Sequence, residues 1–188
     1  MPPSRRYWFP KPYADFAQRL RVPFGFLLVV AFGWLARPSS SSLLAGLPVA
    51  MLGIALRAWA AGCLYKNQSL ARRGPYAHTR NPLYLGTLLV AAGLVIATQR
   101  WELAVLFGAA FVFVYFPTIE QEEQHLRKLF PEYERYAAEV PLLIPQATAA
   151  PGEGQGFTWA QYRRNQEYNA AFGLMVGVGV LVVRYLYA

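Results

Sequence analysis

Five apolar stretches punctuate the chain, at Val22–Ala36, Leu43–Leu64, Leu83–Thr98, Leu103–Pro117 and Ala170–Ala188, with polar residues filling the intervals. A helix needs about 20 apolar residues to cross a bilayer core. Leu43–Leu64 meets that length comfortably, whereas the others must borrow flanking aromatic residues, thin the bilayer or stop part-way against protein. The expected fold class is all-α, a polytopic transmembrane bundle of about five membrane helices. Only Gln99, Arg100, Trp101 and Glu102 separate the third and fourth stretches, a connection that predicts a tight antiparallel hairpin.

Between the fourth and fifth stretches the pattern turns polar. Thr118 with Gln121 matches a capping box and predicts a new helix starting there. Pro131 interrupts it and opens a short helix through Glu139, after which Pro141 and Pro145 end regular structure. Residues Gln146–Gly156 read as a flexible link. Thr158 and Gln161 repeat the capping pattern ahead of one long helix that emerges from the interface and crosses. Gly173 and Gly177 in it have the spacing for close helix contact, within the monomer or between copies, so oligomeric state stays open. Residues 1–188 thus read as one integral membrane domain, with a motif-bearing core at 52–145 and a C-terminal interfacial and transmembrane helix at 158–188.

Composition narrows the class. The chain is 55% hydrophobic and 15% charged, too apolar for an ordinary soluble domain, while a bilayer accepts such runs once the backbone is bonded within helices. Lys and Arg total 18 against 10 acidic residues, an excess that suits nucleic acid or anionic lipid. Arg5, Arg6, Lys11, Arg19 and Arg21 sit beside the first stretch and no nucleic-acid motif accompanies them, which favours lipid head groups. Those residues, with Lys66, Arg72, Arg73 and Arg80 and with Arg127, Lys128 and Arg135, assign three polar segments to the cytoplasmic side. Leu35, Ala36, Arg37 and Pro38 do not form a small-residue cleavage site, so the first stretch reads as a membrane helix rather than a secretory signal. Cys63 is the lone cysteine, and His78 and His125 lack a paired ligand spacing, so no metal is expected.

Two places carry candidate chemistry. Gly74, Pro75 and Tyr76 form a turn-prone lead-in, and Pro82 fixes the start of the third helix with Arg80 and Asn81 at its mouth. Free helix-start amides and the Arg80 guanidinium make a seat for a carboxylate or phosphate; the same residues alone would also serve as a positive-inside anchor. Tyr84 and Gly86 follow in the first turns, one offering an aromatic face and the other close approach. Further on, Ile119, Glu122, Leu126 and Leu129 share a helical face, so Glu122 interrupts an apolar stripe and is expected to face inward. Glu123 borders that face and Glu120 points further away. Arg57, within the second stretch, is either a site residue or a snorkelling one.

Taken together, GPYAHTRNPLYLG, the hairpin after it and EQEEQHLRKLFPEYERYAAEVP resemble the integral membrane methyltransferases of the isoprenylcysteine carboxyl methyltransferase and phospholipid methyltransferase superfamily, over roughly Leu52 to Pro145. The resemblance implies S-adenosylmethionine as methyl donor, with S-adenosylhomocysteine as product, in a cytoplasm-facing pocket of a multi-pass protein. It implies donor contacts from Gln68, Leu70, Gly74, Tyr76, Arg80, Asn81, Pro82, Tyr84, Gly86, Glu122 and Glu123, with Arg80, Glu122 and Tyr84 nearest the chemistry. The acceptor would be a hydrophobic, membrane-embedded lipid or lipidated molecule, an isoprenylcysteine-type carboxylate or a phospholipid amine. Two positions depart from the pattern. Asn81 stands where the superfamily usually has a histidine before the proline, and Gln68 where the prenylcysteine enzymes tend to have another. Membrane sterol and enone reductases, which would use NADPH, have a related arginine-proline-tyrosine segment; the proline after Gly74 and the acidic helix favour methyl transfer. A non-enzymatic membrane scaffold is the remaining alternative.

Overall fold

The computed structural model describes residues 8–152 and 154–187, so Arg5 and Arg6 of the basic arm lie outside the described residues. Eight α-helices follow one another: α1 (Lys11–Leu35), α2 (Ser40–Cys63), α3 (Pro82–Thr98), α4 (Trp101–Ala110), α5 (Phe116–Leu129), α6 (Tyr133–Glu139), α7 (Trp159–Arg164) and α8 (Tyr168–Leu186). The described residues contain no strand. Among the described residues three helices are long and apolar enough to cross a membrane: α2, the continuous rod Trp101–Leu129 and α8; α3 is a shorter apolar helix.

The rod corrects the expectation of a fresh helix at Thr118. A five-residue π-helical segment, Phe111–Tyr115, joins α4 to α5 without a break. Pro117 has no N–H, so in an α-helix the Phe113 carbonyl four residues back would lose its partner. The Tyr13 hydroxyl donates to that carbonyl at 2.7 Å, and the wider π turn relieves the ring clash. The Thr118 hydroxyl bonds back to the Val114 carbonyl at 2.8 Å instead of capping anything.

The expected hairpin of α3 and α4 is present, its turn made by Gln99 and Arg100. Gln99 turns the chain with a left-handed φ of 55°, and residues of both helices, among them Leu88, Ala92, Val95, Phe107 and Phe111, line an apolar groove of about 360 Å³. α3 also packs on α2. Gly46, Ala50 and Gly53 repeat along one face of α2 and meet Gly86, Gly93 and Ala97 of α3; a Cβ added at Gly53 would lie 2.6 Å from the Gly86 carbonyl. Backbone-to-backbone approach of this kind is how apolar helices associate where lipid removes the usual hydrophobic drive.

The predicted last helix is two. Thr158 caps α7 by accepting from the Gln161 amide at 3.1 Å. Gln166 then adopts φ 54° and α8 starts at Tyr168 in a new direction. The corner is held from α2: Asn165 Nδ2 donates to the carbonyls of Ala61 and Leu64 at 2.8 and 2.9 Å, and Glu167 meets Arg57 at 2.6 Å. Arg57 also donates to the Thr87 hydroxyl and the Leu83 carbonyl, so protein groups engage its guanidinium. Gly173 and Gly177 of α8 have nothing within 4 Å of where a Cβ would stand. Close contact within the chain uses the α2–α3 glycines, and not these.

Candidate functional site

At the end of the bundle where α2 stops, residues 64–81 loop back to α3. Gly74 opens a single 3₁₀ turn, Gly74–Ala77, with φ 61°; a side chain here would also stand 3.1 Å from both Cys63 Sγ and Trp59 Nε1. Only glycine meets both demands. The segment after α6 lies along this loop. The Arg80 amide donates to the Pro141 carbonyl at 2.9 Å, the Gln146 amide to the His78 carbonyl at 3.0 Å and the Ala150 amide to the Ala77 carbonyl at 2.9 Å. Thr79 and Asn81 side chains donate to the Leu142 carbonyl, Asn81 Nδ2 at 3.1 Å. The part of the predicted flexible link at Gln146–Gly152 is therefore a docked strap, with Gly152 packed on Arg72.

The loop, α5 and α6, with Gln18 of α1 and Leu83 of α3, line an open cavity of about 490 Å³, whose wall includes Leu70, Tyr76, Arg80 and Glu122 among the residues singled out from sequence, and also Tyr65, Lys66, His125, Leu126, Phe130, Tyr133 and Tyr136. Arg80 is 12% exposed and its Nε lies 3.2 Å from Glu123 Oε1. The approach is off the N–H direction, leaving both atoms without a well-formed hydrogen bond. Glu123 also faces Arg127 Nη2 at 3.6 Å and takes the Tyr133 hydroxyl, and the Arg127 guanidinium sits over the Tyr133 ring at 5.2 Å. Arg80 is thus held between a counter-charge on one side and open cavity on the other.

Tyr76, Tyr133 and Tyr136 are held in the neutral phenol form. Burial is the leading cause in each case, pushing the phenol groups of Tyr76, Tyr133 and Tyr136 above the usual tyrosine range; neighbouring carboxylates add to this, while Arg80 opposes it at Tyr133 and Tyr136. Neutral hydroxyls remain donors, and Tyr136 uses its own to bind the Tyr76 carbonyl at 2.8 Å, tying α6 to the loop.

The acidic triplet sorts differently from expectation. Ile119 is buried, but Glu122 is exposed at the cavity rim. Glu120, expected to point away, is buried and accepts from the backbone amides of Trp8 and Phe9. Glu123 faces a second, smaller cavity of about 160 Å³ together with Arg80, Glu120, Arg127 and Trp8. Helical periodicity sees one helix; Glu120 is buried by a segment more than a hundred residues earlier.

The other expected contacts lie around the cavity and not on its wall. Gln68 is exposed in the loop, its amide bonded to the Tyr65 carbonyl at 3.0 Å. Asn81 holds the strap, and Pro82 is buried in the first turn of α3. The Tyr84 ring meets Tyr115 edge-on at 6.1 Å. Gly86 receives Gly53 and the Arg57 stem from α2. Tyr133 and Tyr136 went unremarked in the sequence, although their i, i+3 spacing behind Pro131 puts both on one helical face.

A family model described as phospholipid methyltransferase matches residues 24–133. Among curated proteins, a cobalt-zinc-cadmium resistance protein, CzcN, of Cupriavidus metallidurans is 32% identical over 145 residues, covering 72% of this chain and 65% of that protein. A nickel-cobalt-cadmium resistance protein, NccN, of Alcaligenes xylosoxydans xylosoxydans is 34% identical over 108 residues, covering 53% and 50%. The chain spans between half and two-thirds of the length of these relatives. No solved structure matches it.

Proposed function

This chain belongs to the phospholipid methyltransferase family, and from that premise we propose that it transfers a methyl group from S-adenosylmethionine to a hydrophobic acceptor held in the membrane, at a site facing the cytoplasm. The observation that carries the proposal is the 490 Å³ cavity with Arg80 on its wall. Its size falls in the range of small-molecule sites, roughly 300–1,000 Å³. The donor set also fits an amino-acid-bearing sulfonium nucleoside: the Arg80 guanidinium on the cavity wall, positioned by Glu123 against its Nε, a carboxylate at the rim in Glu122, and an aromatic wall from Tyr65, Tyr76, Phe130, Tyr133 and Tyr136.

When bound, the donor supplies an electrophilic methyl carried on sulfur. Arg80 would seat its carboxylate with paired donors, Glu122 its ammonium, and the tyrosine faces would attract positive charge. The chain's remaining tasks are alignment and exclusion of water. A carboxylate acceptor is already ionised near neutrality and needs no base; an amine acceptor would give its proton to Glu122, whose exposure suits exchange with solvent. The apolar groove between α3 and α4 supports a hydrophobic acceptor: Thr87 on its wall is one helical turn from Leu83 on the cavity wall. Tyr84 and Glu123 then support the site from behind, Tyr84 through Tyr115 and Glu123 through Arg80. Asn81 replaces the superfamily histidine as a hydrogen-bonding clamp, with no proton exchange required of it. The relatives' names concern metal resistance; among the described residues no group of three or more His, Cys, Asp or Glu side chains is placed to hold a metal ion.

Ligand-dependent thermal unfolding of the purified protein tests the proposal. S-adenosylhomocysteine is expected to stabilise the protein and NADPH is not. Arg80→Ala should weaken S-adenosylhomocysteine by about 1–3 kcal/mol, the loss typical of a charged buried hydrogen bond, and Glu122→Gln by less because it is exposed. Preferential stabilisation by NADPH, or unchanged affinity in a folded Arg80→Ala variant, would contradict it.

A further inference from the structure

α7 lies where the chain turns into its last long helix, and its polar groups are largely engaged in holding it to the end of α2. The Thr158 amide donates to the Gly62 carbonyl at 3.0 Å, and Gln161 and Asn165 side chains both reach the Leu64 carbonyl. Thus anchored, with the Phe157 ring before it packed on Gly62, the helix turns Trp159 and two cations outward. Phe157, Trp159 and Tyr162 form an edge-to-face ladder with centroids 5.0 and 5.7 Å apart, and Trp159 is 67% exposed. Arg163 and Arg164 are both exposed, and neither pairs with an acidic group among the described residues. Glu167, the next acid along the chain, is taken by Arg57. Lys66, also exposed, is two residues past the Leu64 carbonyl that α7 grips.

Uncompensated cations beside an exposed tryptophan at the head of a spanning-length helix match the head-group level of a bilayer. Tryptophan and tyrosine concentrate there, arginine offers phosphate two parallel donors, and each basic residue near an anionic leaflet adds attraction within a Debye length. We infer that Trp159, Arg163 and Arg164, with Lys66, form a docking site for the phosphate-bearing head group of an anionic phospholipid. The indole and its ladder take the glycerol and upper acyl region while the guanidinium groups hold the phosphate. Lys66 also borders the donor cavity, while Trp159, Arg163 and Arg164 lie outside it, and the inference does not rest on methyl transfer.

Native mass spectrometry of the full chain released from nanodiscs of equal parts phosphatidylglycerol and phosphatidylcholine tests it. The native chain is expected to retain phosphatidylglycerol preferentially, and Arg163→Gln with Arg164→Gln to lower that preference on the order of tenfold. Lys128→Gln with Arg135→Gln, the same charge loss at other exposed positions, should leave it unchanged. No preference in the native chain, or an equal loss in both pairs, overturns the site in favour of net charge alone. Should the first pair fail to fold, a photoactivatable phosphatidylglycerol still decides with the native chain: label concentrated on residues 157–168 supports the site, and label spread evenly over other exposed segments overturns it.

Discussion

Arg57→Met is expected to destabilise the protein by about 3–5 kcal/mol, and Glu167→Leu added to the same chain to restore most of that loss. Arg57 and Glu167 are 22% and 10% exposed, so removing the cation strands a carboxylate at the corner between α7 and α8 with little water around it. The Thr87 hydroxyl and Leu83 carbonyl lose a donor at the same time. Replacing both charges by apolar residues removes the stranded group, and a double-mutant cycle reads the coupling. Thermal unfolding in detergent supplies the measurement. Additive losses in the double variant would show that the pair does not hold the corner.

Gly93→Leu should be at least as damaging. A Cβ at Gly93 would meet the Gly46 carbonyl and the Ala50 amide, backbone atoms that cannot rotate aside. Relief requires α3 to move off α2, which would pull Thr87 from Arg57 and shift the start of α3 that carries Arg80. Overpacking between backbones exceeds the ordinary 1–3 kcal/mol of an oversized core residue, so failure to accumulate as a folded species is the expected outcome. Gly177→Leu is the matched control, since open space surrounds that position. Equal folded yields by size exclusion would refute the close crossing.

The same two glycine sets show what the sequence made legible. Apolar runs placed α2 and α3 within a few residues, because length and hydrophobicity suffice to mark such helices. The Gly173 and Gly177 spacing resembles the Gly46, Ala50 and Gly53 spacing, yet only the latter faces a partner; nothing local distinguishes them. Pro117 reads as a breaker, and its tolerance depends on Tyr13, about a hundred residues earlier. Arg80 and Tyr76 line the cavity because a turn and a helix-starting proline aim them over short range. Glu120 and Glu122 exchanged roles because burial on α5 is decided by the N-terminal segment and by α6. Arg57 could be read only as a cation needing a partner, and the partner lay across the α7–α8 corner.

Label transfer decides the central claim. The purified full chain, incubated with S-adenosylmethionine carrying a labelled methyl group and a membrane lipid extract, is expected to place label in the lipid fraction, with Arg80→Ala sharply reduced. Label absent from every lipid while S-adenosylhomocysteine demonstrably binds the protein would contradict methyl transfer to a membrane-held acceptor.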